Sequence, residues 1–461
     1  MHRTRYRFLL LFGALALYAV SSPAAAHAGS LNLSGDPSPI PNWVFALTGG
    51  GVVVISFLFT SLVTDSELVH ALRGPEYRLH GAFRQVPEWA TTWIINGLGV
   101  GGLLLVLIVG LFGPAEPLAN LGVLLVWVGW WAGYTMSTYL VGNTWPMVNP
   151  WRTIADYLPS LRRPYPESVG RWPSVVGLLA LVFVEVVTPL ADDPRLLALV
   201  VLGYSIVTLG GTVVYGVETW FERVDPIAGV FRFYGTLAPV QWRDGRAVLV
   251  PPASRISESD LLETDDDIGF VIALLWVTTY DGLVSTPAGG VPIRIAAEIG
   301  IPPVLGYALL LVVGFGAFLG IFYLGVRGIR WFGTTFVQSG EIARRFAPTL
   351  LPIAAAYHLA HFLGYFLELL PALVASLVNP LSAPVSVPVV ALPGFVGGIE
   401  LALVVVGHVV AVWAAHGTAF DLFSGRVQPI RSQFPLVAIM VAYTMTSMWI
   451  ISQPFSAPPY V

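Results

Sequence analysis

Residues 348–378 read PTLLPIAAAYHLAHFLGYFLELLPALVASLV, a run of 31 residues with neither arginine nor lysine. A helix needs about 20 apolar residues to cross the hydrocarbon core of a bilayer. The run is longer than one span requires, which predicts a helix that is tilted, kinked or projecting beyond the membrane. Pro371 favours a kink in its last third.

Similar apolar runs recur along the whole chain. Of its 461 residues, 56% are hydrophobic and 11% are charged, whereas about 25% are charged in soluble proteins. This pattern predicts an all-α, polytopic integral membrane protein with about ten transmembrane helices in contact with the lipid bilayer. The runs cover residues 42–64, 90–113, 117–141, 173–190, 196–217, 267–284, 302–326, 348–378, 396–417 and 433–455.

The ends of the chain and the arginines predict how it is oriented. Residues 1–26 resemble a cleavable signal peptide, with a basic start, an apolar centre and small residues at the end. An external mature N-terminus leaves 18 arginines in the inner loops, and Arg195 and Arg294 alone in the outer ones. This bias predicts that both mature ends lie outside. Residues 27–461 are predicted to form a single transmembrane domain in the plasma membrane.

Two structural features of the loops can be predicted. The inner segment 218–266 contains VQWRDGRAVLVPP, whose Asp-Gly pair predicts a short β-hairpin. Trp145 and Trp151 are predicted to be anchors at the membrane interface.

The chain has no cysteine, which excludes disulfides and thiolate metal sites. A net charge of −4 gives no support for a nucleic-acid partner.

Four polar side chains interrupt the run at 348–378. His358, His361, Tyr365 and Glu368 are spaced three, four and three residues apart, so they share one face of a helix. Polar groups facing lipid are costly, which predicts that this face points into the bundle.

The next helix returns across the membrane with three more polar residues. Glu400 lies near its outer end, His408 near its middle and His416 near its inner end. Because the two helices are predicted to be antiparallel neighbours, His408 is expected at the depth of His358 and His361. His416 is expected to belong elsewhere.

Four acids are predicted to lie at similar depth in the outer part of the membrane: Glu185, Asp281, Glu368 and Glu400. They predict a polar chamber that opens outward, with three histidines at its floor. His27 lies on the same side if the signal peptide is cleaved after Ala26.

Histidines with carboxylates favour a transition-metal site holding copper, zinc or iron, and two histidines on different helices suit haem b. The metal ligands would be His358, His361, His408 and His27. In a metal-dependent hydrolase, Asp281 or Glu368 would take the proton from metal-bound water. The alternatives are a proton- or cation-coupled transporter, and a structural or assembly partner of a membrane complex or of an extracytoplasmic protein, in which polar residues join helices.

Seven stretches resemble a family of multi-pass membrane proteins from actinobacteria and haloarchaea known as fenitrothion hydrolase-like. They are AHAG (26–29), IPNWVFALTGG (40–50), NPWR (149–152), RDGRAVLVPP (243–252), TYDGLVSTP (279–287), YHLAHF (357–362) and GHVVAVWAAH (407–416). The resemblance implies organophosphate ester hydrolysis. The motif positions it implies are His27, Asp281, His358, His361, His408 and His416.

Overall fold

The computed structural model describes residues 41–64, 76–78, 88–243, 246–258, 261–454 and 456–460, and for Arg78, residues 88–92 and Arg243 it describes the backbone alone. The predicted signal peptide and His27 lie outside these residues.

Helices make up most of the described chain. They are α1 (Asn42–Ser61), α2 (Glu88–Phe112), α3 (Leu121–Leu124, Leu125–Tyr134 and Thr135–Leu140 in succession), α4 (Trp145–Val148), α5 (Pro150–Ala155), α6 (Trp172–Val187), α7 (Pro194–Tyr215), α8 (Val217–Arg223), α9 (Pro226–Gly235), α10 (Asp265–Val284), α11 (Gly290–Glu298), α12 (Pro303–Gly333), α13 (Ser339–Phe346), α14 (Leu351–Val378), α15 (Phe395–Leu422) and α16 (Val427–Ile451).

Eight helical segments among the described residues are long and apolar enough to cross a membrane. They are α1, α2, α7, α10, α12, α13 continued by α14, α15 and α16. The other two predicted spans also coincide with helices. α6 has only 16 residues, and α3 consists of three joined parts. The chain is therefore a mostly helical, multi-pass membrane protein. α14 continues through Pro371 to Val378.

The middle part of α3, Leu125–Tyr134, is a π-helix, a form that is rare and frequent at functional sites. Two of its glycines face α14. A Cβ atom at Gly129 would lie 3.4 Å from Leu373, and one at Gly133 would lie 2.6 Å from Phe366. These glycines let the wide helix approach α14 closely, which brings its aromatic residues to the polar face of α14.

Three helices begin with an Asx-Pro pair. Asn149, Asp193 and Asp225 are the N-caps of α5, α7 and α9, and each is followed by proline. Their side-chain oxygens accept hydrogen bonds from the first backbone N–H groups, while proline fits the first helical position because it has no N–H to satisfy. The pairs thus fix where the helices start.

α14 and α15 pack as antiparallel neighbours. A Cβ atom at Gly407 would collide with Ala356, and would lie 2.7 Å from the carbonyl oxygen of Pro352. Further along, the backbone N–H of Gly364 donates to Glu400 Oε1 at 3.1 Å. These two contacts fix the register of α15 against α14. They place His408 at the level of the first turns of α14, which come before His358 in the chain.

A small antiparallel sheet lies in the predicted hairpin region. Strand β2 (Val240–Arg243) pairs with β3 (Arg246–Leu249), so that Arg243 faces Arg246. Strand β1 (Tyr77–Arg78) pairs with the other edge of β3. The antiparallel pair forms where the Asp-Gly turn signal predicts it.

A buried carboxylate joins three segments at the start of α10. Asp267 is 1% exposed and lies 3.0 Å from Arg171 Nη1 and 2.8 Å from Arg232 Nη2. Its other oxygen accepts from the backbone N–H groups of Glu263 and Thr264. One side chain therefore links the loop before α6, helix α9 and helix α10.

Candidate functional site

A histidine–aspartate pair connects α14 and α10 inside the bundle. His361 Nε2 lies 3.4 Å from Asp281 Oδ2. The side chain of His361 is 9% exposed, while that of Asp281 is 27% exposed. The imidazole is thus enclosed, whereas part of the aspartate side chain is exposed. The pair has one basic and one acidic member within proton-transfer range through at most one water.

Glu185 of α6 extends this pair into an acidic cluster. Its carboxyl group is close enough to Asp281 to interact electrostatically. Tyr365 lies within the same range of Glu185, and the ring of Tyr357 stacks on His361 with centroids 6.2 Å apart. The cluster therefore combines two carboxyl groups, one from α6 and one from α10, with one imidazole and two phenols from α14.

His358 lies one turn earlier on α14, in an aromatic environment. Its Nδ1 shares a hydrogen bond of 3.0 Å with the hydroxyl group of Tyr139. The ring of Trp131 meets the imidazole edge to face at 5.6 Å, and Phe362 contacts it at 4.7 Å. Tyr139 and Trp131 belong to α3 and were not predicted from the sequence, since more than 200 residues separate them from His358.

The remaining two membrane histidines have separate environments. Nδ1 of His408 donates to the carbonyl oxygen of Val404 at 2.8 Å. Nε2 of His416 donates to the carbonyl oxygen of Val63 at 2.9 Å, and Gln433 bonds its other nitrogen. His416 therefore ties α15 to α1 and α16, which agrees with the expectation that it lies apart from the other histidines.

The four predicted acids form two pairs. Glu185 interacts with Asp281, and Glu368 interacts with Glu400. Glu400 is 3% exposed, and it accepts the Gly364 hydrogen bond. Glu368 is half-buried, so it lies at the margin of the helix face that buries His358, His361 and Tyr365.

The described residues contain no group of three or more His, Asp or Glu side chains arranged to hold a metal ion. The partner of His361 is a carboxylate, that of His358 is a phenol and that of His408 is a backbone carbonyl. His27 lies outside the described residues, so its predicted role as a ligand stays a prediction.

A cavity of about 300 Å³ lies beside the acidic cluster, between α2, α3, α6 and α7. Five tryptophans line it: Trp127, Trp130, Trp131, Trp145 and Trp151. Trp145 and Trp151 are buried, so their side chains pack inside the bundle and do not face the lipid. The aromatic cluster formed with Phe231 draws both of them into the bundle. Glu185 lies on the cavity wall.

A second residue of the cavity wall contacts a buried acid. The hydroxyl group of Tyr204, a lining residue, donates to Asp225 Oδ2 at 2.5 Å. Burial raises the pKa of Asp225 to about 6, although hydrogen bonds from Tyr204 and the backbone oppose the shift. Asp225 is also the N-cap of α9, so its hydrogen bond links Tyr204 in the cavity wall to the start of that helix.

Comparison with known proteins finds no matching family model, no matching curated protein and no matching solved structure. The resemblance to fenitrothion hydrolase-like proteins and the hydrolysis it implies therefore stay predictions.

Proposed function

We propose that this protein is a proton-coupled transporter of the plasma membrane, oriented with both mature ends outside. The observation that supports it best is the pair formed by His361 and Asp281 within the bundle, 3.4 Å apart. Ionisable side chains inside a membrane are costly, and a pair of them facing the bundle interior is typical of ion pathways and proton relays.

The geometry suits stepwise proton transfer. Glu185 lies on the wall of the cavity and interacts with Asp281, which lies beside His361. Each of the three side chains can accept a proton from one neighbour and pass it to the next. The partial exposure of Asp281 gives the chain of groups a point of contact with small molecules.

Proton flux in liposomes tests the proposal. The purified protein is reconstituted with a pH-sensitive dye inside, an acid-inside pH gradient is imposed, and sodium, potassium or benzyltrimethylammonium is added outside as the exchanged cation. We expect Asp281→Asn and His361→Gln each to lower the initial flux by about a hundredfold, the lower end of what a positioned proton-transfer group contributes.

The control is a carboxyl group outside the cluster. Glu298 is exposed at the end of α11, so Glu298→Gln should leave the flux unchanged. All variants are first matched for thermal stability in detergent. Wild-type flux no greater than that of empty liposomes, or equal flux in all variants, would contradict the proposal.

A second candidate function is a transition-metal or haem site, and the geometry of His408 favours it. Its Nδ1–H is held by the carbonyl oxygen of Val404, while its Nε2 has no partner among the described residues. His358 differs from it, because the Tyr139 hydroxyl group lies at Nδ1 and the backbone of Trp131 also interacts with the ring. Metal-binding histidines usually show such an outer-shell hydrogen bond at the nitrogen that does not bind the metal. The group would supply Lewis-acid or redox chemistry.

Metal content tests this second candidate. Protein purified in mild detergent without chelators is expected to contain about one copper, zinc or iron per chain, or to show a Soret band, if the site binds a group. His408→Ala should remove it, whereas His416→Ala should not, because both nitrogens of His416 are bonded. Metal-free protein that is folded and active in flux would exclude this candidate.

A further inference from the structure

The residues that line the cavity beside Glu185 favour one chemical class of ligand. Its wall is formed by aliphatic side chains and five tryptophans. Among the described lining residues, Glu185 is the only acid, and none is basic. A volume of about 300 Å³ is at the lower end of the range for small-molecule pockets.

The lining residues are unsuited to hard inorganic cations. Hard cations require several oxygen ligands at once, whereas the described wall offers one carboxyl group and one phenol, Tyr204. An organic ammonium ion has apolar substituents that suit the aliphatic wall. Its diffuse positive charge is attracted by tryptophan faces, which are the best aromatic partners for cations.

The tryptophan rings of the wall are oriented by packing. The Nε1 atoms of Trp127, Trp130 and Trp145 are buried and have no acceptor among the described residues. Trp130 and Trp145 lie 5.9 Å apart at 52°, so the wall presents ring surfaces in several directions.

We infer that the cavity binds a hydrophobic organic cation, with Glu185 as its counter-ion and the tryptophans around its apolar part. This inference rests on the proposed function in one respect: it makes the cation the substrate that is exchanged for protons. When the cation binds next to Glu185, the carboxyl group gives its proton to Asp281. The proton then passes from Asp281 to His361 and leaves the protein, so that one proton is released for each cation bound.

Binding to the purified protein in lipid nanodiscs tests the inference. The probes are benzyltrimethylammonium and neopentylbenzene, its neutral isostere. We expect the cation to quench tryptophan fluorescence saturably, and the neutral molecule to do so far more weakly. Glu185→Gln should raise the dissociation constant of the cation about tenfold, as loss of one charged partner does.

Two glycines of α2 provide a matched pair of blocking and control variants. Gly102 lines the cavity, and a Cβ atom added there meets no other atom within 4 Å. Gly101 is equally open but is not among the lining residues. Gly102→Leu should therefore fill the cavity and abolish binding, whereas Gly101→Leu should leave binding unchanged.

The outcomes separate this inference from the proposed function. Cation binding that is lost in Gly102→Leu, without proton flux, supports the site and contradicts the transporter. Proton flux without cation binding contradicts the substrate class alone. Equal binding of both probes, or binding unaffected by Glu185→Gln, would overturn the inference and identify the cavity as a site for neutral lipid.

Discussion

Asp267→Ala is expected to lower the free energy of unfolding by about 3–5 kcal/mol, the range for removing one partner of a buried ion pair. The change leaves the guanidinium groups of Arg171 and Arg232 without the carboxylate that they share. It also removes the acceptor for the backbone N–H groups at the start of α10. Unfolding in detergent, followed by circular dichroism during titration with dodecyl sulfate, measures the effect.

The neighbouring Asp265 is the matched control. Its side chain is 71% exposed, and it lies 3.7 Å from Arg344. Exposed pairs of this kind contribute about 1 kcal/mol or less, so Asp265→Ala should change stability little. Equal losses in the two variants would show that the charge at the helix start matters and that burial does not.

Gly407→Ala is expected to destabilise the protein by about 1–3 kcal/mol, the usual cost of overpacking. An added methyl group would overlap Ala356 and press on the carbonyl oxygen of Pro352. The two helices that carry the membrane histidines would have to separate. The midpoint of thermal unfolding in detergent should fall.

Gly320→Ala on α12 is the comparison, because a Cβ atom there meets nothing within 4 Å. An alanine in an open helical position stabilises by about 0.5–1 kcal/mol relative to glycine, so this variant should unfold at the same temperature or slightly higher. A fall of equal size in both variants would mean that glycine flexibility matters, and not the close contact.

Much of the fold can be predicted from hydrophobic length. All ten apolar runs coincide with helices, because backbone groups in lipid must bond within their own segment. Helical periodicity also places His358, His361 and Tyr365 correctly on a buried face. Glu368 follows the same spacing but is only half-buried, since the width of the buried face depends on neighbouring helices.

The partners of these residues could not be predicted in the same way. Tyr139 and Trp131 reach His358 from α3, whose π-helical part has no signature in the sequence. Glu185 and Asp281 were expected at one depth, yet only the packing of α6 against α10 pairs them. The tryptophans of α4 and α5 were predicted to be interfacial anchors. Their burial in an aromatic cluster could not be predicted, because it depends on contacts that are distant in sequence.

The open face of Gly102 has a consequence for chemical labelling. The chain contains no cysteine, so Gly102→Cys would introduce the only thiol, on the wall of the cavity. A small thiol reagent that cannot cross lipid would then react only from the side of the membrane to which the cavity is open. Comparing the reaction rates from the two sides would show to which side of the membrane the cavity opens. The distribution of the arginines predicts which of these sides is the outer one.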